Sequence, residues 1–85
     1  MSYNIEIKKS AAKEIAALPQ NDLVRIVEKI QGLSDDPRPP GCKKLSGDEK
    51  YRLRAGNYRI LYKIEDSELI IYVVKVGHRR DVYRK

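Results

Sequence analysis

Lys50-Tyr51-Arg52-Leu53-Arg54-Ala55-Gly56-Asn57-Tyr58-Arg59-Ile60-Leu61-Tyr62-Lys63-Ile64 reads as two strands around a tight turn. Residues 50–54 and 58–64 are rich in tyrosine, leucine and isoleucine, and Ala55-Gly56-Asn57 supplies the small and turn-forming residues that a hairpin needs. Side chains two apart on a strand share a face. Arg52 and Arg54 therefore point one way, and Tyr51 and Leu53 point the other, into a core. Arg59 lies just across the turn from Arg54. Like charges directly opposed on a sheet destabilise it by about a few tenths of a kcal/mol, and no acidic residue stands between Arg52 and Lys63. A solvated strand face is the ordinary account of such a cluster. The sharper account is a phosphate cradle, because the planar guanidinium can bond two phosphate oxygens at once.

Downstream, Glu65-Asp66-Ser67-Glu68 forms a second turn, and residues 69–76 form a third strand. Leu69-Ile70-Ile71-Tyr72-Val73-Val74 is apolar at every position, the pattern of a central strand covered on both faces over part of its length. Upstream, Lys43 to Glu49 is polar and turn-rich, and Pro37-Arg38-Pro39-Pro40-Gly41 is a stiff loop that can be neither helix nor central strand. Before it, Leu23, Ile26, Val27, Ile30 and Leu33 recur at helical spacing behind Asn21 or Asp22 as cap. Ala11, Ala12, Ile15, Ala16 and Leu18 do the same behind Ser10. Tyr3, Ile5 and Ile7 alternate with polar residues in an opening strand over residues 3–8. The order strand, helix, helix, strand, strand, strand predicts a single α+β domain with a helical hairpin on one face of a small antiparallel sheet.

The 85 residues leave no room for a cofactor domain beside a substrate domain. The net charge is +6. Residues 1–36 carry 5 basic and 6 acidic side chains, and residues 37–85 carry 13 basic and 6 acidic. The whole excess lies in the second half, as expected of a surface that meets something anionic. Nothing approaches the roughly 18 consecutive apolar residues of a membrane span. The N-terminus lacks the basic-then-apolar pattern of a signal peptide, so a cytoplasmic protein is expected. Cys42 is the lone cysteine and His78 the lone histidine. They cannot form an internal disulfide or a zinc site, and no metal or cofactor is expected.

After the third strand comes Lys75-Val76-Gly77-His78-Arg79-Arg80-Asp81-Val82-Tyr83-Arg84-Lys85. Gly77 is placed to bend the backbone at the sheet edge. A basic tail is ordinarily a solvated end, but Val82 and Tyr83 are apolar enough to anchor this one. His78 matters through its company, because histidine titrates near neutrality and can move protons. There is no His-Glu-x-x-His, no Gly-rich phosphate loop and no paired carboxylates in an apolar setting. Cys42 reads as an inert thiol. Six tyrosines without Phe or Trp raise the idea of base stacking, but Tyr58, Tyr62 and Tyr72 lie on strands and read as core.

Two blocks, Tyr51 to Tyr62 and Val76-Gly77-His78-Arg79-Arg80-Asp81-Val82-Tyr83, resemble the RelE/ParE superfamily of bacterial toxins, with the closer likeness to the RelE branch. The likeness covers nearly the whole chain, from the first strand through the helical hairpin and the Pro-containing loop. It implies the RelE-like fold and a ribosome-dependent endoribonuclease that cleaves messenger RNA in the ribosomal A site. Tyr83 matches the family's catalytic tyrosine. Arg59 and Arg79 match its arginines on the second hairpin strand and after the Val-Gly pair, and Arg52 and Arg54 match two basic residues on the preceding strand. The best-known members carry lysines at those two places. Arginine stays charged, so phosphate stabilisation is retained, while the general base stays open with His78 as candidate. Lys43, Lys44, Lys50, Arg80 and Arg84 are candidate contacts to the RNA backbone.

The implied partners are a RelB-like antitoxin protein, the A site of the small ribosomal subunit and messenger RNA, with operator DNA reached only through the antitoxin complex. Two rivals stand beside this expectation. One is a ParE-like inhibitor of DNA gyrase on the same fold. The other is a non-catalytic nucleic-acid-binding domain, for which the basic half alone would suffice.

Overall fold

The computed structural model describes residues 2–45 and 50–78. The elements run β1 (Asn4–Ile7), α1 (Lys9–Ala16), α2 (Gln20–Gly32), β2 (Lys43–Lys44), β3 (Lys50–Ala55), β4 (Tyr58–Glu65) and β5 (Ile70–His78). They form the expected strand, two helices and sheet, with one more strand than expected. The sheet order is β1-β5-β4-β3-β2. The hairpin pairs of β3, β4 and β5 are antiparallel, and β1 lies parallel to β5.

Alternation along the strands builds the core. Leu53 and Ala55 on β3, Ile60 and Tyr62 on β4, and Ile71, Val73 and Val76 on β5 are buried against Ala11 and Ile15 of α1 and Ile26 and Ile30 of α2. Both helices lie on this one face. On the other, Ile70 is half-buried and Tyr72 is 36% exposed. β5 is central in the sheet, as its apolar run implied, but the helices cover one side of it, and Tyr72 is not core.

Several local expectations shift. Ser10 does not cap α1, which starts at Lys9 after Lys8, and no side chain caps it. α2 starts at Gln20 after Pro19. Asp22 sits in its first turn, where a carboxylate favours the helix dipole, and accepts a hydrogen bond from the Tyr58 hydroxyl at 3.2 Å. Gly77 is no bend, because β5 runs through it to His78. Leu69 closes the β4–β5 turn at φ 56° rather than opening the strand. That left-handed backbone is costly for a non-glycine residue. The Leu69 carbonyl there accepts the Asn4 amide at 2.7 Å and so joins the turn to β1.

β1 covers β5 only from Ile70 to Val73. Beyond that point Glu14 of α1 takes the place of a neighbouring strand. Its carboxylate accepts the Val76 amide and the Lys75 ammonium, each at 2.9 Å. An open sheet edge is thus closed by a charged side chain.

Candidate active site

The β3–β4 turn is the two-residue loop Gly56-Asn57, with Gly56 at φ 63°. A positive φ at the first central position is what the favoured hairpin turn with glycine there requires. The turn fixes the register, and the register decides the site. Arg54 stands directly opposite Arg59, and Arg52 opposite Leu61. On the other side of β3, Lys43 of β2 stands opposite Arg52. These side chains share the sheet face that the helices leave open.

Together, Gly41, Lys43, Arg52, Arg54 and Arg59 line a cleft of about 300 Å³. Four of the five are cations and none is acidic. Arg59 is only 7% exposed. Its neighbour across the ladder on β5 is Gly77, so that pairing position carries no side chain. A charged group is rarely buried in a small domain without a structural or chemical use. The cleft has the composition of an anion site, with delocalised guanidinium charge from two strands and a lysine from a third.

The wall bearing Gly41 is held from the far end of the sheet. The buried Tyr62 hydroxyl donates to the Pro37 carbonyl at 2.8 Å. Arg38 donates from Nη2 to Asp66 at 3.0 Å and from Nε to the Tyr51 hydroxyl at 3.3 Å, and its guanidinium lies 5.3 Å from the centre of the Tyr51 ring. Tyr3 donates to the same Asp66 at 2.7 Å. These bonds, Arg38's first and Tyr3's second, hold the Asp66 carboxyl below its ordinary value. Burial, and after it the Cys42 thiol, pushes the Tyr62 hydroxyl up. Burial, and after it the Asp22 charge, raises Tyr58. Neither tyrosine is set up to give up its proton near neutrality.

The sequence-predicted residues divide. Arg52, Arg54, Arg59 and Lys43 converge on the cleft. Lys50 lies on the same face two residues beyond Arg52, opposite Lys63. Lys44 pairs with Tyr51 and takes the other face of β2. His78 is opposite Tyr58 and meets its ring edge-on, with centroids 5.8 Å apart, on the helix-covered face. It is therefore not brought into the cleft. Arg79, Arg80, Tyr83 and Arg84 lie outside the described residues. Reading the sequence missed Gly41, which enters the cleft wall from the Pro-rich loop, and β2 itself. A second hollow of about 360 Å³, between β1 and the helices, is lined by Ile5, Ile7, Ile15, Val27 and Ile30 among others. It offers no ionisable group for chemistry. Among the described residues, no group of three or more His, Cys, Asp or Glu gathers to hold a metal, and no helix is long and apolar enough to cross a membrane.

Residues 5–83 match the family model of the ParE toxin of type II toxin-antitoxin systems, parDE. The chain belongs to the RelE/ParE toxin family. It is a RelE-like toxin of a type II toxin-antitoxin system. It is 34% identical over 88 residues to the putative toxin RelE1 of Methanocaldococcus jannaschii, covering 99% of this chain and 98% of that protein. It is 28% identical over 82 residues to the mRNA interferase toxin RelE of Escherichia coli, covering 93% of this chain and 85% of that one. Among solved structures, the archaeal RelE-RelB complex from Pyrococcus horikoshii contains a chain that superposes with a TM-score of 0.83 at 29% identity, over 93% of this toxin and 97% of its counterpart. The α+β arrangement of strand, two helices and five-stranded mixed sheet is thus the RelE fold.

Proposed function

We propose that this toxin is an endoribonuclease that cleaves messenger RNA in the ribosomal A site and is neutralised by a RelB-like antitoxin. The observation that carries the proposal is the cleft, where three arginines and a lysine meet with no carboxylate among the described residues that line it. Its relative in Escherichia coli is named an mRNA interferase, and solved relatives are complexes with RelB.

In the proposed step the RNA's own 2′-hydroxyl oxygen attacks the adjacent phosphorus. The new bond is P–O2′, and the bond that breaks is P–O5′. The 2′-hydroxyl proton leaves to a base and the 5′-oxygen gains one, giving a 2′,3′-cyclic phosphate end and a 5′-hydroxyl end. No protein nucleophile is needed. The pentacoordinate phosphorus gathers negative charge, and guanidinium groups fixed before the reaction stabilise it with little reorganisation. Arg54 and Arg59 take the non-bridging oxygens, and Arg52 and Lys43 hold the flanking backbone. Arg79 would add a further guanidinium, and Tyr83 would orient the base or the attacking hydroxyl. His78, turned toward Tyr58, would support the end of β5 rather than accept the proton. A site with strong charge stabilisation and a weak base gains most from borrowed alignment, and orientation alone is worth several kcal/mol. Ribosome dependence follows from that.

The antitoxin would cover the cationic face with acidic segments that order on binding. The test is purified toxin on translating ribosomes, with message ends mapped. Cleavage within the A-site codon is expected, lost in Arg59→Ala and in Tyr83→Phe. Intact message with inhibited DNA supercoiling would instead favour gyrase inhibition. Intact message with retained RNA binding would leave a non-catalytic binding domain.

A further inference from the structure

The cationic cleft is the upper part of a longer track on the open face. Register places the open-face side chains in rows across the strands. The row nearest the turn holds Arg54 and Arg59, the next holds Lys43, Arg52, Leu61 and Lys75, and the third holds Lys50, Lys63, Tyr72 and Glu6. Successive rows lie about 7 Å apart along the strands, two residues at the strand rise. The three rows therefore carry two, three and two cations, the Lys75 ammonium of the second being held by Glu14. In every row like charges face each other directly across a strand pair, Arg54 to Arg59, Lys43 to Arg52 and Lys50 to Lys63. The proposed chemistry uses the first two pairs. Repetition of the pair at the far end calls for a polyanion with regularly repeated charge, lying along the hairpin.

The third row also holds the one large aromatic ring that the described strands place on this face. Tyr72 is directly across from Lys63 and 36% exposed, where alternation alone would have left a small or polar residue just as comfortable. An exposed ring beside a lysine is the combination that binds an unpaired base and its phosphate. Glu6 beyond Tyr72, and Glu65 at the foot of β4, repel phosphate and close the track on the β1 side.

We propose that Lys63 and Tyr72 form a distal subsite for single-stranded RNA, in which the Tyr72 ring stacks on a base and Lys63 meets a phosphate further along the strand than those held in the cleft. This rests on the nuclease reading for its ligand and goes beyond it in assigning a binding role away from the reacting phosphate.

The experiment uses the full-length toxin and 2′-O-methyl oligoribonucleotides, which lack the attacking hydroxyl, so that binding is read without cleavage. A dinucleotide fills the cleft alone, and a hexanucleotide reaches the third row. In fluorescence-anisotropy titrations Tyr72→Ala weakens the hexanucleotide about 10-fold, within the range for loss of one stacked base. Tyr72→Trp restores it, and dinucleotide binding is unchanged. Lys63→Gln lowers the salt slope for the hexanucleotide by about 0.7, the value for one single-strand phosphate contact. Equal weakening of both lengths, no weakening of either, or no hexanucleotide binding by the wild type would overturn the subsite. Unchanged RNA binding with weakened capture of a RelB-type antitoxin would overturn it too and make this row an antitoxin surface. Wild-type toxin that shows the length dependence but leaves ribosomal message intact would keep the subsite and remove the nuclease reading.

Discussion

The two faces of the β3–β4 hairpin are built from alternate residues of the same fifteen-residue stretch, yet they do opposite things. Leu53, Ala55, Ile60 and Tyr62 face the helices and are buried. Lys50, Arg52, Arg54 and Lys63 face away, with Arg54 set against Arg59 and Lys50 against Lys63. The first face lowers the free energy of the fold. The second sets like charges side by side, which taken alone disfavours a sheet. On the proposed function, stability and chemistry are separated by one residue's step along the chain, and substitutions on the two faces should give effects of opposite kind.

The largest effect belongs to the buried face. Ile60 is fully buried at the centre of the sheet, and Ile60→Ala is expected to cost about 2–5 kcal/mol through lost transfer energy and the cavity left behind. That is a large share of the roughly 5–15 kcal/mol that holds a small domain together. Urea unfolding measures it. Message cleavage per folded molecule should stay near wild type at low temperature. A loss of cleavage in proportion greater than the unfolded fraction would show that the two faces are not separable.

Next comes the open face. Arg54→Ala is expected to reduce cleavage on ribosomes about 100-fold, comparable to removing one preformed charge-stabilising donor. Its stability should be unchanged or higher, by about a few tenths of a kcal/mol, because the opposed charge at Arg59 is relieved. A variant that is both inactive and clearly less stable would mean that Arg54 is structural and would break the comparison at its active side.

How much of this could be read from the chain depends on which physical signal each residue sends. The arginine face was legible because strand alternation is local, and Gly56 pins the register within two residues. The helices were legible from their apolar spacing, but not their starts, since neither end uses a side-chain cap. β2 was not legible. Two adjacent lysines have little strand preference, and Lys43–Lys44 is a strand only because β3 offers a backbone edge. Tyr72 was hidden by a run that is apolar at every position and so marks no face. His78 was hidden by a β-bulge. Leu61 pairs with Lys75 and Tyr62 with Val73, leaving Val74 as an extra residue. From Ile71 and Val73, simple alternation would send His78 to the open face beside the arginines. The bulge shifts the phase by one and sends it to the helix side. No sequence pattern announces that extra residue. The sequence reading also put Gly77 at the sheet edge as a bend, whereas its place is inside the strand, next to Arg59.

The smallest effect lies where the two faces are tied together. Asp66 receives Arg38 and Tyr3, and so joins the β4–β5 turn to the loop that bears Gly41 and to the start of β1. The Arg38–Asp66 pair is exposed, and exposed pairs contribute little to stability. Its signature is therefore better sought in pH than in magnitude. The Asp66 carboxyl titrates below its ordinary value of 3.8 in the folded chain, first because of Arg38 and then Tyr3. A carboxyl depressed on folding stabilises the fold above its unfolded value, and the contribution fades as pH falls through the lower folded value. Asp66→Asn should thus unfold at a slightly lower urea concentration than wild type at neutral pH, and the gap should close as the pH drops below about 3.8. Asparagine can still accept from Tyr3 but cannot pair with the Arg38 charge, so the closing gap isolates the ionic contribution. Cleavage should be unaffected, because Asp66 does not line the cleft. A gap of constant size across the acid range would mean that Asp66 works by geometry rather than by charge. Lost cleavage at neutral pH with stability intact would show that this tie sets the position of the Gly41 wall and makes Asp66 a positioning residue for the site.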